Sequence, residues 1–261
     1  MKKLFKGLLI GALVFTMVGC GGNSDNESSN NSSDDSVTLT IGVSPDYPPY
    51  ESLDTNNNIV GFDAEMVKLF EQYLTEDEGV TYNLEFKQMD FDNIITQLQG
   101  DQIDLGISGF TYDESRRVEW SDPYTATAQV AVMPSDTDIK EVSDLNGKRI
   151  AAQTGSTGED AANEVEGAEV VSMTDVQDMF TGLSSHQYDA VIVDLAVAKN
   201  YVNNGQFVYL DESLMDEENY VIAKEGNTEL IEKINKCIEK FLASDEYTQL
   251  CDEYGLLKLE D

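Results

Sequence analysis

The chain has 261 residues, of which 41% are hydrophobic and 9% aromatic, a composition typical of a globular protein with one large domain or two ordinary ones. It carries 50 acidic residues against 16 basic ones, a formal net charge of −34. Because a surface this negative repels phosphate groups, the charge excludes nucleic acid and electrostatic binding to anionic membranes.

A basic segment and a short apolar segment open the chain. Three lysines lie within the first six residues, and residues 8–18 form an apolar run too short to span a bilayer. The run leads into Met-Val-Gly-Cys at Cys20, which resembles the bacterial lipobox, where the cysteine receives lipid. We therefore expect a lipoprotein signal peptide over residues 1–19 and lipid on Cys20, with plain secretory cleavage as the alternative.

Residues 21–36 consist only of Gly, Asn, Ser, Asp and Glu. Such a segment cannot bury apolar surface and is typical of a flexible linker. We expect residues 20–36 to tether the folded body to the outer face of a membrane.

The first part of the body shows the pattern strand, helix, strand, helix, strand. Alternating apolar residues predict a strand over residues 38–43, and Asp63 is the expected N-cap of the helix that follows. Strands over residues 82–89 and 103–107 flank a second helix that begins at Asp90. This pattern predicts a parallel α/β sheet, whose ligands bind at the carboxyl ends of the strands.

Two aromatic residues follow the first strand in a proline-rich loop. The prolines stiffen the loop that carries Tyr47 and Tyr50. These tyrosines form either the wall of a pocket or a packed loop corner, and the local sequence does not decide between the two.

Two of the three arginines, Arg116 and Arg117, follow the third strand and a Gly-x-Thr turn. An arginine presents a planar fork of donors that suits a carboxylate. The alternative is that both arginines pair with nearby acidic residues: Asp113, Glu114 and Glu119.

A second α/β pattern begins with an extended run over residues 124–133 and a strand over residues 149–153. The glycine-rich turn after it opens a helix near Glu159, and free N–H groups there would suit a single carboxylate. An ordinary capped turn is the alternative. The turn is not a P-loop, because no Gly-Lys-Ser/Thr follows.

Further strands are predicted over residues 169–173 and 190–193. Asp194 comes next, before a helix over residues 195–202, and is either the partner of an ammonium group or the N-cap of that helix. A strand over residues 207–210, an extended return over residues 219–224 and helices over residues 229–242 and 247–254 complete the chain. Two such units joined by extended segments predict two lobes with a cleft between them.

The cysteines and the single histidine do not fit a metal site or a histidine-based triad. Cys237 and Cys251 form either a disulfide or buried free thiols. His186 is expected in a surface loop. We expect no metal and no cofactor.

Seven motifs occur along residues 38–257: Tyr47-Pro48-Pro49-Tyr50, Gly61-Phe62-Asp63, Gly109-x-Thr111 with Arg116, Ser121-Asp122-Pro123-Tyr124, Asp144-Leu145-Asn146-Gly147-Lys148, Gln153-x-Gly155-Ser156-Thr157 and Tyr188-Asp189-Ala190-Val191. Their order resembles the bacterial extracellular solute-binding proteins of family 3, which supply polar amino acids to ABC importers. The segment after Arg116 is two residues shorter than is usual in the family.

The resemblance implies a two-lobed periplasmic-binding-protein-like fold of type II, in which each lobe is a mainly parallel sheet flanked by helices. The first lobe would comprise residues 37–127 and 218–261, and the second residues 128–217. The lobes would close on a ligand around hinges near residues 124–129 and 216–220.

The resemblance also implies a ligand site. Arg116 would hold the α-carboxylate and Asp194 the α-ammonium of an amino acid. The other implied contacts are Gly109, Thr111, Thr157, the aromatic walls Tyr47 and Phe91, and side-chain selection by Ser44, Asp46, Gln153, Val193 and Glu51.

Because Ser44 stands where binders of basic amino acids tend to carry a carboxylate, and Gln153 offers both a donor and an acceptor, we expect a polar uncharged ligand. The alternative is a ligand whose distal cation Asp46 reaches. The implied protein is a monomeric lipoprotein that delivers its ligand to a membrane permease and is not an enzyme. A cyclohexadienyl or arogenate dehydratase-like enzyme and a surface receptor without transport are the alternatives.

Overall fold

The computed structural model describes residues 36–203 and 205–259. The predicted signal peptide, Cys20 and residues 20–35 of the predicted tether lie outside the described residues. Among the described residues, no helix is both long and apolar enough to cross a membrane.

The first part of the described chain contains the parallel strands that the sequence predicts, together with a small antiparallel sheet that it does not. The elements are β1 (Ser36–Val43), β2 (Asp46–Tyr47), β3 (Glu51–Leu53), β4 (Ile59–Val60), α1 (Phe62–Glu78), β5 (Thr81–Gln88), α2 (Phe91–Gln99) and β6 (Leu105–Thr111). Strands β2, β3 and β4 form the small sheet.

The second part begins with the longest strand and ends with two helices. Its elements are β7 (Val118–Pro134), a 3-10 turn (Val142–Leu145), β8 (Arg149–Gln153), α3 (Thr157–Glu164), β9 (Glu169–Met173), α4 (Val176–Ser184), β10 (Ala190–Asp194), α5 (Leu195–Val202), β11 (Phe207–Tyr209), β12 (Met215–Lys224), α6 (Thr228–Leu242) and α7 (Asp245–Tyr254).

One large sheet runs through the described part of the chain in the order β5-β1-β6-β12-β7-β10-β8-β9, and β11 pairs with β7. Strands β5, β1 and β6 are parallel and form the first half-sheet. Strands β10, β8 and β9 are parallel and form the second half-sheet. Between them lie β7 and β12, which pair antiparallel with each other and which we call the hinge strands.

Helices cover the half-sheets because their apolar faces require burial. In α6 the residues Ile231, Ile234, Cys237, Ile238 and Phe241 are buried, at the i, i+3, i+4 spacing of one helical face. Phe241 packs on Phe62 and Phe70 of α1 at centroid distances of 6.0 and 6.1 Å. The predicted α/β architecture is thus confirmed, whereas the lobe boundaries stay a prediction.

Cys237 and Cys251 are buried free thiols and are not joined by a disulfide. Burial raises the pKa of Cys237 to about 12 and that of Cys251 to about 11. His186 is exposed in a turn, as expected.

The assignment of Asp63 as the N-cap of α1 is wrong. The N-cap is Gly61, with a φ of 127°, and a Cβ there would meet the Tyr50 carbonyl oxygen at 2.3 Å. Asp63 is instead fully buried within the helix. Only glycine fits at this close approach, which places the N-cap two residues before Asp63.

Two other helices differ from the sequence-based expectation. Helix α3 begins at Thr157 with Ser156 as its N-cap, whose side chain accepts the Glu159 N–H, so the start lies two residues before the expected one. Helix α4 was not predicted, although its buried residues Val176, Met179, Phe180 and Leu183 have helical spacing.

Candidate functional site

A cleft lies where the carboxyl ends of the strands in the two half-sheets face each other, with the hinge strands as its floor. Of the nine ligand-binding residues expected from the sequence, eight line this cleft: Ser44, Tyr47, Phe91, Gly109, Thr111, Gln153, Thr157 and Asp194. The space that they enclose is about 10 Å³, close to the volume that one water molecule requires. An amino acid therefore enters only when the two sides separate.

Asp46 joins the two sides of the cleft. It is 6% exposed and accepts hydrogen bonds from Ser44 Oγ at 2.7 Å, Gln153 Nε2 at 3.0 Å and Val176 N at 2.8 Å. Burial raises the pKa of Asp46, whereas the hydrogen bonds from Val176 and Ser44 oppose that rise. The cleft wall thus holds a carboxylate next to both Ser44 and Gln153.

Asp194 lies on the other side of the cleft and contacts Tyr47. The Tyr47 hydroxyl donates to Asp194 Oδ1 at 3.1 Å and accepts the Asp194 N–H at 2.9 Å. Asp194 occupies the N-cap position of α5, but its side chain makes no capping hydrogen bond. Burial, and then the charge of Glu217, raise the pKa of Asp194 to about 7. Its carboxylate therefore faces the cleft rather than the helix end.

The aromatic residues that flank the cleft are held by their neighbours. Tyr47 stacks on Tyr50 at a centroid distance of 5.9 Å, and Phe91 stacks on Phe110 at 4.6 Å. Gly109 has a φ of 59°, and a Cβ there would meet the Tyr47 ring at 3.5 Å. The two rings are thus fixed in position before any ligand arrives.

Two threonines close the cleft opposite Asp46. Thr111 Oγ1 of the first side and Thr157 Oγ1 of the second side lie 2.7 Å apart, and both residues are buried. Thr157 is the first residue of α3, so this contact brings the amino end of that helix to the carboxyl end of β6.

Of the nine expected ligand-binding residues, Arg116 is the one that does not line the cleft. Its Nη1 donates to the Thr111 carbonyl at 3.2 Å and its Nη2 to the Gly155 carbonyl at 2.9 Å. The guanidinium carbon lies 5.9 Å from the Phe91 ring centroid, and its Nε is 3.4 Å from Asp113. Arg116 therefore bridges the two sides beside the cleft, and its guanidinium donates to two main-chain carbonyls rather than into the cleft.

The other arginine of the pair lies at the surface. Arg117 donates to Glu225 at 2.7 Å, and 76% of its side chain is exposed. Arg116 thus makes one of the pairings that the alternative named, with Asp113, whereas Arg117 pairs with Glu225, which the alternative did not name.

Two residues named for side-chain selection do not reach the cleft. Glu51 is fully buried behind Ser108, whose hydroxyl donates to Glu51 Oε1 at 2.6 Å and accepts the Ser44 N–H at 3.1 Å. Val193 lies in the core of the second half-sheet, paired with Val130. Burial raises the pKa of Glu51, and so does the nearby Asp63 carboxylate.

The structure adds two residues that the sequence did not reveal, Gln129 and Glu217. Gln129 Nε2 donates to Asp194 Oδ1 at 2.5 Å and to Glu217 Oε2 at 2.9 Å. Burial raises the pKa of Glu217. Both residues lie on hinge strands, and only the pairing of β7 with β10 and β12 brings them to Asp194. No local sequence signal marks them.

The order of strands, the contact between the half-sheets and the cleft chemistry agree with what the sequence motifs imply. The family model of the bacterial extracellular solute-binding proteins, family 3, matches residues 39–256. The chain belongs to this family.

Two curated members of family 3 match this chain over most of their length. The arginine-binding extracellular protein ArtP of Bacillus subtilis (strain 168) is 30% identical over 259 residues, which cover 96% of each chain. The ABC transporter arginine-binding protein 1 of Escherichia coli (strain K12) is 31% identical over 229 residues, covering 83% of this chain and 90% of the relative.

A solved structure shows the same fold. That of an ancestral arginine-binding protein bound to arginine is 36% identical to this family-3 protein, with a TM-score of 0.76, and the match covers 83% of this chain and 97% of the other. The fold is the two-lobed type II fold of the periplasmic amino-acid-binding proteins. Both curated relatives are named as arginine-binding proteins, and the second as that of an ABC transporter.

Proposed function

We propose that the protein binds an L-amino acid with a cationic side chain and delivers it to the membrane permease of an ABC importer. The observation that carries this proposal is the charge of the cleft. Asp46 and Asp194 line it and Glu217 adjoins it, whereas no lysine or arginine is among its lining residues in the described part of the chain.

Charge balance supports a ligand with two positive groups. An L-amino acid brings one carboxylate and one ammonium, which Arg116 and Asp194 would balance. Asp46 and Glu217 then remain, and a buried carboxylate without an opposite charge is costly. A cationic side chain next to Asp46 would reduce that cost, because an ion pair in a closed cleft is weakly screened.

An uncharged side chain, which Ser44 and Gln153 suggest from the sequence, finds less support. Both of these side chains donate hydrogen bonds to Asp46. Their donors are therefore already used to hold the carboxylate. A ligand with a neutral side chain would contact Asp46 and would leave the charge of that carboxylate without an opposite charge.

Titration calorimetry on the purified protein, after unfolding and refolding to remove bound ligand, tests the proposal. Arginine and citrulline have the same shape, but only arginine carries a positive side chain. We expect arginine, lysine or ornithine to bind and citrulline and glutamine to bind at least about tenfold more weakly, the factor that 1.4 kcal/mol provides. Equal or tighter binding of citrulline or glutamine would contradict the cationic preference.

Three further experiments address the remaining alternatives. A ligand recovered chemically unchanged after incubation argues against a dehydratase-like enzyme. Delivery to a permease, rather than signalling, is tested by uptake of the labelled amino acid in cells that lack the protein. Lipid anchoring through Cys20 is tested by the mass of the mature N-terminal peptide.

A further inference from the structure

In and beside the floor of the cleft lie three buried acceptor oxygens that have no hydrogen-bond partner among the described residues: Asp194 Oδ2, Glu217 Oε1 and Gln129 Oε1. The buried Thr127 hydroxyl beside them has none either. Asp194 and Gln129 are each only 2% exposed. Carboxylate and amide oxygens accept hydrogen bonds and cannot donate them, so each atom requires a donor. A buried acceptor without one costs free energy.

Strand register explains why these side chains meet. Asp194 of β10 lies opposite Gln129 of β7, and Glu217 of β12 lies opposite Thr127 of β7. Residues two apart on a strand point to the same face of a sheet. Gln129 and Thr127 therefore bring Asp194 and Glu217 to one face of the sheet. Gln129 and Asp194 line the cleft there, and Glu217 adjoins it.

Existing contacts occupy one oxygen of each carboxylate. Gln129 Nε2 donates to Asp194 Oδ1 and to Glu217 Oε2, and Thr157 Oγ1 donates to the same Glu217 oxygen at 3.0 Å. The amide nitrogen thus holds the two carboxylates next to each other. Their like charges repel, and a cation between them would remove this repulsion.

We propose that Glu217 contacts the α-ammonium of the bound amino acid together with Asp194. This inference rests on the proposed function, because it assigns a second carboxylate to one end of the same ligand. An ammonium offers three donors, which match the three acceptors of Asp194, Glu217 and Gln129. Glu217 lies on a hinge strand and Asp194 on the second half-sheet, so the ammonium ties the two together.

The test compares arginine with 5-guanidinopentanoic acid, which is arginine without the α-amino group, by calorimetry on the purified full chain. In Glu217→Gln we expect arginine affinity to fall by about 10- to 100-fold, the range for a hydrogen bond to a charged group. Affinity for the analogue should change much less, so the preference for arginine over the analogue falls. Binding of the analogue also shows that the variant is folded.

Glu218→Gln is the matched control. Glu218 is the next residue on β12, is exposed, and accepts a hydrogen bond from the Tyr220 hydroxyl at 2.7 Å. We expect this variant to bind both compounds as the wild type does. Glu217→Asp, which keeps the charge, should retain more arginine affinity than Glu217→Gln.

Unchanged arginine binding in Glu217→Gln would overturn the inference, and so would tighter binding, which would mean that Glu217 competes with the ligand carboxylate. If Glu217→Gln lowers the affinity for arginine and for the analogue by the same factor, Glu217 has a structural role, and this outcome would also overturn the inference. If the wild-type protein binds no amino acid, the proposed function fails before any variant is compared, so the two failures are distinguishable.

Discussion

The hydroxyl of Tyr47 and the main chain and side chain of Asp194 make two hydrogen bonds across the cleft, at 2.9 and 3.1 Å. Tyr47 belongs to the first side and Asp194 to the second, so these bonds hold the cleft closed. Asp194, which would bind the ligand ammonium, is thus also the residue that links the two sides of the cleft. A ligand must replace the Tyr47 contact to reach Asp194 Oδ1.

Tyr47→Phe should therefore shift the ligand-free protein towards an open form. The change removes two hydrogen bonds, one of them to a charged group, and we expect the closed form to lose about 1–3 kcal/mol. Small-angle X-ray scattering should show a larger radius of gyration without ligand and the wild-type value with saturating ligand. Tyr112→Phe, at a residue that is 59% exposed, is the control. An unchanged radius in Tyr47→Phe would rule out this role.

Arg116→Lys should weaken the binding of ligands that carry a carboxylate. A lysine cannot form the paired hydrogen bonds of a guanidinium, so we expect a loss of at least about tenfold for arginine and little change for argininamide. Arg117→Lys, at the exposed arginine next to it, should leave both affinities unchanged. Equal behaviour of the two variants in calorimetry would show that Arg116 does not hold the carboxylate.

Asp46→Asn should change which side chain the cleft accepts. The substitution keeps the shape of the side chain and removes the charge that a cationic ligand would meet. We expect the preference for arginine over citrulline to fall by roughly tenfold or more, measured as the ratio of the two dissociation constants. Asp175→Asn, at an N-cap that caps α4 outside the cleft, serves as a comparison. If the ratio of the two dissociation constants is unchanged in Asp46→Asn, the cationic side chain of the ligand does not bind next to Asp46.

Stability of the ligand-free protein should fall as the pH rises. Asp194 has a pKa of about 7 when folded, against the ordinary 3.8, so between these values the folded state binds more protons than the unfolded state. The free energy of unfolding therefore decreases from pH 4 to pH 7, by up to roughly 4 kcal/mol from this residue. The titratable groups that face Asp194 are Glu217, Tyr47 and Tyr50.

Urea titrations between pH 4 and pH 8 measure this dependence. Asp194→Asn should flatten it, and the exposed Asp211→Asn should not. Burial also raises the pKa of Asp63, so the wild-type slope has more than one source and the difference between variants is the informative quantity. The same slope in Asp194→Asn as in the wild type would contradict the assignment. Arginine binding should weaken as the pH falls below 7, because the ammonium requires an ionised Asp194.

The sequence predicts the strands and most helices of this fold because their signals are local. The apolar stripe of α6 and the strand of residues 149–153 need no knowledge of distant residues. Eight of the nine expected site residues also line one cleft, since the carboxyl ends of parallel strands meet at one edge of a sheet. Whether each of them contacts a ligand stays a prediction.

What the sequence does not predict depends on distant parts of the chain. Asp63 has the residue type of an N-cap, but the close approach of the Tyr50 carbonyl requires glycine, and the N-cap is Gly61. Glu217 reaches Asp194 only through the order of three strands that are distant in sequence. The orientation of Arg116 follows from the Gly155 carbonyl on the opposite side of the cleft.

The hinge strands have a mechanical consequence. Strand β7 continues for 17 residues and stays paired with β12 from Val118 to Gln129, apart from register shifts near Tyr220. If the two sides separate about the hinge strands, as the family resemblance implies, the movement would bend a ladder of hydrogen bonds that stays paired. Such a ladder would restrict the movement to bending and twisting of the strand pair, because its hydrogen bonds keep the two strands in register.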